Sequence, residues 1–244
     1  MTLPKITTPT YELDLPSTDE KVKFRPFLVK EEKILLIAME NDKQEEMVSA
    51  IKQIIKNCTF NKVDIDKIPL FDLEYIFLQL RAKSIGEVSN FRILCPDDKK
   101  TYANVEIDLT KVVVEVDEGH DNRIIIDDKK QLGIVLSYPS VALFKSANLI
   151  SNDVKAVFDL IVQCVDHIFE GEKIYPAKDM KEAEITQFLD DLPQEAFNKI
   201  RDFFKTMPRI KHEIEIENPK TKVKSKIMLQ GLQDFFELAS LTST

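Results

Sequence analysis

Glycine is scarce in this chain, with 5 residues among 244, and each of the five stands alone in the sequence. Phosphate-binding loops are built from closely spaced glycines, so no glycine-rich nucleotide fingerprint can be assembled here. Cysteine is also sparse, and Cys58, Cys95 and Cys164 are isolated from one another, so they do not form a disulfide framework. Such cysteine usage is typical of a protein that folds in a reducing cytoplasm.

Long apolar runs are absent as well. No stretch approaches the ~20 apolar residues of a membrane-spanning helix, and the segment 1–5 has no apolar core of a signal peptide. The net charge is -8, from 42 acidic and 34 basic side chains. An acidic balance disfavours nucleic-acid binding, which needs a basic field to replace counterions. We therefore predict a cytoplasmic protein that binds neither nucleic acid nor a small-molecule substrate and has no membrane span.

One hairpin pattern occurs twice, at 91–107 and at 212–229. Each copy has a strand-like run, a four-residue corner of the form X-Pro-X-X and a second strand-like run. A zinc knuckle needs a cysteine at both ends of such a corner, so that thiolates converge on one ion. Only one of the four thiolate positions keeps its cysteine; the four residues are Cys95, Asp98, Asn218 and Thr221. We predict two degenerate zinc-ribbon-like hairpins without metal, with corners held by ordinary turn hydrogen bonds.

The remaining pattern predicts an α+β fold, because helical and strand-like segments are segregated instead of alternating as βαβ units. Residues 11–27 have the alternation of a hairpin, and 154–169 carry one unbroken helical stripe that Gly171 is placed to end. We divide the chain into an N-terminal hairpin arm, a helical segment, a β-rich segment with the first corner, and a helical segment with the second corner and a C-terminal helix. These segments are 1–28, 29–87, 88–137 and 138–244, and we expect the last three to form one compact domain.

No set of residues predicts catalysis. Cys164 lies close to Asp166 and His167, but residues one and three apart on a helix do not all converge. A buried, inert thiol is the better interpretation. The adjacent aspartate pairs do not face each other and have polar surroundings, so solvated loop charges are expected at positions 97–98, 127–128 and 190–191. We predict no catalytic residue and no cofactor, and a hydrolase that uses Cys164 and His167 is the least favoured function.

Two aromatic segments indicate partner binding. Phe24, Arg25 and Phe27 surround Pro26, which marks a strand as an edge. Aromatic residues and arginine are typical anchors of interfaces. The helix that is expected to end the chain carries the pair Phe235 and Phe236. The alternative for both segments is that the rings pack in the protein's own core.

Several segments, taken together, resemble the baseplate hub family of T-even-type contractile phages, which is named for gene product twenty-six. The matching runs lie at 3–17, 22–33, 78–87, 95–98 and 229–236. The resemblance implies a component or an assembly chaperone of the central hub, which acts on hub proteins in the infected cell and has no enzymatic activity. It also implies a place in the baseplate if the protein stays in the virion. The alternative is a cytoplasmic binding adaptor on a degenerate zinc-ribbon scaffold that is unrelated to phage tails.

Overall fold

The computed structural model describes residues 7–40, 44–146 and 154–231. The elements, in chain order, confirm the predicted α+β class. They are β1 (Tyr11–Asp14), β2 (Lys21–Phe24), α1 (Val29–Glu40), α2 (Gln44–Cys58), α3 (Leu70–Ile85), β3 (Val88–Leu94), β4 (Tyr102–Asp108), β5 (Val113–Glu115), β6 (Arg123–Asp127), β7 (Leu132–Leu136), α4 (Val141–Ser146), α5 (Val154–Gln163), β8 (Val165–Glu170), β9 (Lys173–Pro176), α6 (Glu182–Asp190), α7 (Gln194–Thr206), β10 (Arg209–Glu217) and β11 (Lys224–Gln230).

The chain forms two compact units. Unit 1 contains Met1–Glu115 and Arg209–Thr244, and unit 2 contains Val116–Pro208. The second degenerate hairpin belongs to the same unit as the N-terminal part, and the division into four segments stays a prediction. In unit 1, β10 pairs with β5 and places Glu115 directly opposite Arg209. The chain therefore leaves unit 1 and returns to it at two neighbouring points of one ladder.

Unit 1 is organised around α3. This helix is apolar nearly all round, as the sequence indicates for a central helix. Its buried side chains include Phe71, Leu73, Ile76, Phe77, Leu78 and Leu80. Three small antiparallel sheets belong to the same unit, namely β1–β2, β3–β4 and the ladder β11-β10-β5. Both predicted degenerate hairpins are present, as β3–β4 and as β10–β11.

Unit 2 contains a four-stranded antiparallel sheet in the order β6-β7-β8-β9. Apolar side chains of this sheet and of the helices in the unit form one core. Members with the least exposure are Ile134, Leu136, Ile161, Ile200 and Phe203. Among the described residues of both units, no helix is long and apolar enough to cross a membrane.

The unbroken helix expected over 154–169 is wrong. The helix α5 ends at Gln163, and 165–170 form β8 instead. This strand pairs with β7 on one side and β9 on the other, so ladder hydrogen bonds replace those of the helix. Gly171, which was expected to end a helix, instead adopts a φ of 58° beyond the end of β8.

Candidate functional site

The first degenerate corner is closed by its own backbone and by one aspartate. The amide of Cys95 donates to the carbonyl of Thr101 at 2.8 Å, and the amide of Lys99 donates back to Cys95 at 3.0 Å. The Asp98 carboxylate accepts a hydrogen bond from the Thr101 hydroxyl at 2.6 Å and from the amides of Thr101 and Lys100, both at 3.0 Å. These donors, the Thr101 hydroxyl first, hold the pKa of Asp98 well below its usual range.

The second corner is closed by similar hydrogen bonds, without a cysteine or an aspartate. The amide of Lys222 donates to the carbonyl of Asn218 at 2.9 Å, and the amide of Asn218 donates to Val223 at 2.9 Å. Oδ1 of Asn218 accepts from the amides of Lys220 at 2.9 Å and Thr221 at 3.3 Å. Lys222 has a φ of 63°, as its counterpart Lys99 has a φ of 52°. The two corners therefore share the positive φ and the backbone bond that precedes it, but their side-chain acceptors stand at opposite ends of the corner.

Asp97 joins the two corners. Its carboxylate accepts from Nδ2 of Asn218 at 2.9 and 3.0 Å and from the hydroxyl of Thr221 at 2.6 Å. Asn218 is buried, whereas Asp97 lies at the surface. The hydrogen bonds from Asn218 and then Thr221 lower the pKa of Asp97. The expectation that the 97–98 pair are merely solvated loop charges is therefore wrong, because both carboxylates accept structural hydrogen bonds.

The four knuckle positions lie in the two corners that this contact joins. We call these four residues and the bridging aspartate the paired corners (Cys95, Asp97, Asp98, Asn218 and Thr221). Cys95 is fully buried, and burial raises the pKa of its thiol, as do the nearby carboxylates of Asp97 and Asp98. Within 7–40, 44–146 and 154–231, no group of three or more His, Cys, Asp or Glu side chains could hold a metal ion. Side-chain hydrogen bonds connect the two corners, so the polar groups of the paired corners stabilise the fold.

The bridge can be tested at Asn218 without disturbing the turn. We expect Asn218→Asp to lower the free energy of unfolding by about 1–3 kcal/mol at neutral pH, because the Nδ2 donor is lost while the Oδ1 acceptor stays. The new carboxylate would also face that of Asp97. Repulsion raises the pKa of one of the two carboxyl groups above the usual value of aspartate. The deficit relative to wild type should therefore shrink as pH falls through that raised pKa. Urea unfolding at several pH values measures this.

Asn218→Ala is the matched control for that variant. It removes the turn acceptor and the bridge together and adds no charge. Its deficit should shrink only below the usual pKa of aspartate, where wild type loses the stability that comes from the lowered pKa of Asp97. A deficit of Asn218→Asp that is the same at every pH would contradict the contact with Asp97.

The cysteine and the histidine considered for catalysis differ in their surroundings. Cys164 lies between α5 and β8 and is fully buried, and burial raises its pKa to about 12. Nδ1 of His167 lies 2.6 Å from Oδ2 of its neighbour Asp166. Cys58 is buried as well, with a pKa raised to about 11 by burial. A thiol with a raised pKa forms little thiolate and is a poor nucleophile.

The predicted partner residues of the N-terminal arm differ in exposure. Phe24 is only 2% exposed, and its ring forms a tilted pair with that of Tyr11 at 5.7 Å between centroids. Arg25 is 8% exposed, while Phe27 is half-buried and lies 5.7 Å from Phe77. Partner binding by this segment stays a prediction, and the burial of Phe24 and Arg25 gives it no support. Phe235 and Phe236 lie outside the described residues.

Arg25 instead anchors the arm to two helices. Its guanidinium donates to both carboxylate oxygens of Glu31, at 3.0 and 3.3 Å, and to the carbonyl of Pro26 at 2.9 Å. Its amide donates to the carbonyl of Cys58 at the end of α2, at 3.0 Å. Burial of Glu31 acts to raise its pKa, but the hydrogen bonds from Arg25 and from the amide of Leu28 outweigh burial, so the pKa is lowered. Arg25 and Glu31 are six residues apart in the sequence, and no motif in the sequence predicts that they form an ion pair.

These features define an α+β protein with small antiparallel sheets. Its paired corners connect two of its own hairpins by hydrogen bonds. The family model described as T4 bacteriophage base plate protein matches residues 8–237. The chain belongs to this family of phage base plate proteins. No curated protein sequence and no solved structure matches it. The alternative of an adaptor unrelated to phage tails is therefore wrong.

Proposed function

We propose that this base plate protein is a component or an assembly chaperone of the central hub. Membership of the base plate family over residues 8–237 carries the proposal. The runs at 3–17, 22–33 and 229–236 resemble the hub family, and this resemblance supports the hub as the part of the base plate in which the protein acts. The protein would act in the host cytoplasm during tail assembly and, if it is retained, in the baseplate of the virion.

The proposed action is protein–protein contact without catalysis. Two observations support it. The carboxylate of Asp98 accepts hydrogen bonds from its own turn, and that of Asp97 accepts them from Asn218 and Thr221 of the second corner. The three thiols are buried, and burial raises the pKa of each. Groups used in this way stabilise a fold and are poorly suited to attack a substrate.

Exposed apolar side chains follow the predicted partner residues of the N-terminal arm. Leu28 and Val29 are exposed, Val29 at 79%, and they follow the half-buried Phe27. On α1 the same side of the helix continues with Leu36 and Ile37, which are both more than half exposed. The spacing of 29, 36 and 37 places these apolar side chains on one helical face. We propose that a hub protein contacts this face.

A charge placed on this face should separate binding from folding. We expect Val29→Asp to weaken co-purification with hub proteins from a co-expressed tail gene set at least tenfold, since a desolvated interface centre rejects an unpaired carboxylate. The melting temperature should stay within a few degrees of wild type, because Val29 makes little contact with the core. Val116→Asp, at another exposed valine, is the matched control and should bind normally. Equal binding by both variants would place the partner surface elsewhere.

The choice between component and chaperone depends on the location of the protein. Mass spectrometry of purified virions and of infected lysate would find a component in both samples and a chaperone only in the lysate. Absence of tail proteins from affinity-purified complexes in the lysate would contradict both forms of the proposal.

A further inference from the structure

Most edge strands of the described sheets are protected against pairing with another chain. The outer strand β11 carries Lys224 and Lys226, and β9 ends in Pro176, which has no N–H to donate. The ladder of β6 is interrupted by a bulge between Ile125 and Asp127. Lysines, proline and bulges are the usual means of protecting an edge. The strands β1, β2 and β5 are short, with four, four and three residues.

The strand β3 has none of these protections. It is seven residues long, contains neither lysine nor proline, and keeps an uninterrupted register with β4. Within the described parts of the chain, β4 is the one strand that pairs with it. On the other side of this hairpin, β4 carries the carboxylates of Glu106 and Asp108, which discourage pairing there.

The ladder shows which backbone groups of β3 are unpaired. Leu109 donates to the carbonyl of Glu87 at 2.8 Å, and Cys95 donates to that of Thr101 at 2.8 Å. Residues of an antiparallel strand alternate in facing their partner, so the odd-numbered residues of β3 face β4. The even-numbered residues therefore direct their N–H and C=O groups outward, and their side chains are exposed; they are Val88, Asn90, Arg92 and Leu94.

We propose that β3 pairs with β3 of a second copy of this chain, antiparallel and centred on Phe91. This register joins the two hairpins into one four-stranded sheet. It places Val88 opposite Leu94 of the second copy, and Asn90 opposite Arg92. All four outward residues then fall at hydrogen-bonded positions, where each pair exchanges two backbone bonds.

The side chains are self-complementary in this register. Val88 and Leu94 are 54% and 42% exposed, and each would cover the other across the new strand pair. The carbonyl of the Asn90 side chain can accept from the Arg92 guanidinium, which lies 5.2 Å from the centroid of its own Tyr102. Twofold symmetry repeats both contacts, as an isologous interface requires. A single strand pair is a small interface, so we expect a dimer that dissociates on dilution.

Position 90 provides the test. Sedimentation velocity of the purified full chain over a wide concentration range should show a monomer–dimer equilibrium. Asn90→Glu should tighten it several-fold, because two symmetric charge pairs with Arg92 form and outweigh the repulsion from Glu106, which lies opposite position 90 in the same hairpin. Asn90→Lys should weaken it by a similar factor through repulsion. The double variant Asn90→Lys/Arg92→Glu should restore dimerisation, since the charge pair is rebuilt with reversed sign.

The matched controls are Asn122→Glu and Asn122→Lys, which make the same changes at an exposed asparagine outside β3. Both should leave the equilibrium unchanged. Thermal unfolding verifies that each variant is folded; if a single variant at position 90 unfolds, the double variant decides. A chain that stays monomeric at every concentration, or a dimer that responds equally at positions 90 and 122, would overturn the proposal. The sedimentation measurement uses the purified protein alone. A negative result would therefore contradict the dimer without bearing on the proposed function in the hub.

Discussion

Glu31→Ala should lower the free energy of unfolding by about 3–5 kcal/mol, one of the two largest effects that we expect. The Glu31 side chain has no exposed surface and meets Arg25 through both of its oxygens. It also accepts from the amide of Leu28 at 2.9 Å. Removing the carboxylate leaves a buried guanidinium without its counter-charge, and this uncompensated charge causes the loss. Chemical denaturation followed by circular dichroism measures it.

Glu32→Ala is the matched control, because the neighbouring glutamate is exposed on the same turn of α1. Its effect should stay within about 0.5 kcal/mol, as for most surface substitutions. The double variant Arg25→Met/Glu31→Leu should recover most of the loss, since apolar side chains of similar volume often replace a buried ion pair without cost. Equal losses for the Glu31 and Glu32 variants would show that the pair contributes little.

Gly133→Ala should destabilise unit 2 by about 3 kcal/mol or more. Gly133 lies in the central strand β7, opposite Phe169 of β8. A Cβ there would lie 2.6 Å from the carbonyl oxygen of Ile124 and 2.7 Å from Cε1 of Phe169. The Phe169 ring is buried and has Arg123 stacked on it at 3.8 Å, so it has little room to move. Overpacking of this kind usually costs 1–3 kcal/mol, and a contact with backbone adds to it.

Gly171→Ala provides the comparison. A Cβ at this position meets no atom within 4 Å, so only the positive φ of 58° opposes it. We expect a loss of about 1 kcal/mol from that conformation alone. Hydrogen exchange of the β6–β9 amides should therefore accelerate far more in the Gly133 variant than in the Gly171 variant. A reversed order would indicate that the sheet adjusts at Gly133.

The paired corners show what the sequence can and cannot predict. The repeated X-Pro-X-X pattern predicts both hairpins, because proline and the turn residues act locally. The bridge from Asp97 to Asn218 spans 121 positions, and nothing near Asp97 in the sequence indicates it. Local chemistry therefore predicts each corner, whereas their contact depends on how β3–β4 and β10–β11 pack in unit 1.

The error at α5 and β8 has a related cause. Apolar residues at 157, 158, 161, 162, 165, 168 and 169 fit a helical period throughout, so periodicity alone extends the helix. The chain instead changes conformation at Cys164, whose amide still bonds to the carbonyls of Leu160 and Ile161 at 3.0 Å. Beyond it, pairing with β7 and β9 stabilises a strand. Tertiary partners decide such a boundary, and a single sequence does not contain them.

The pairing of Glu115 with Arg209 makes unit 2 an insertion between two adjacent positions of one ladder. An ordinary hairpin could join β5 to β10 at the same place with a turn of two or three residues. For the rest of unit 1, Val116–Pro208 act as one very long loop whose two ends are held together by the ladder. The entropy cost of closing a loop grows only slowly with its length. A longer or shorter connection at this place would therefore change the closure entropy of the ladder only slightly.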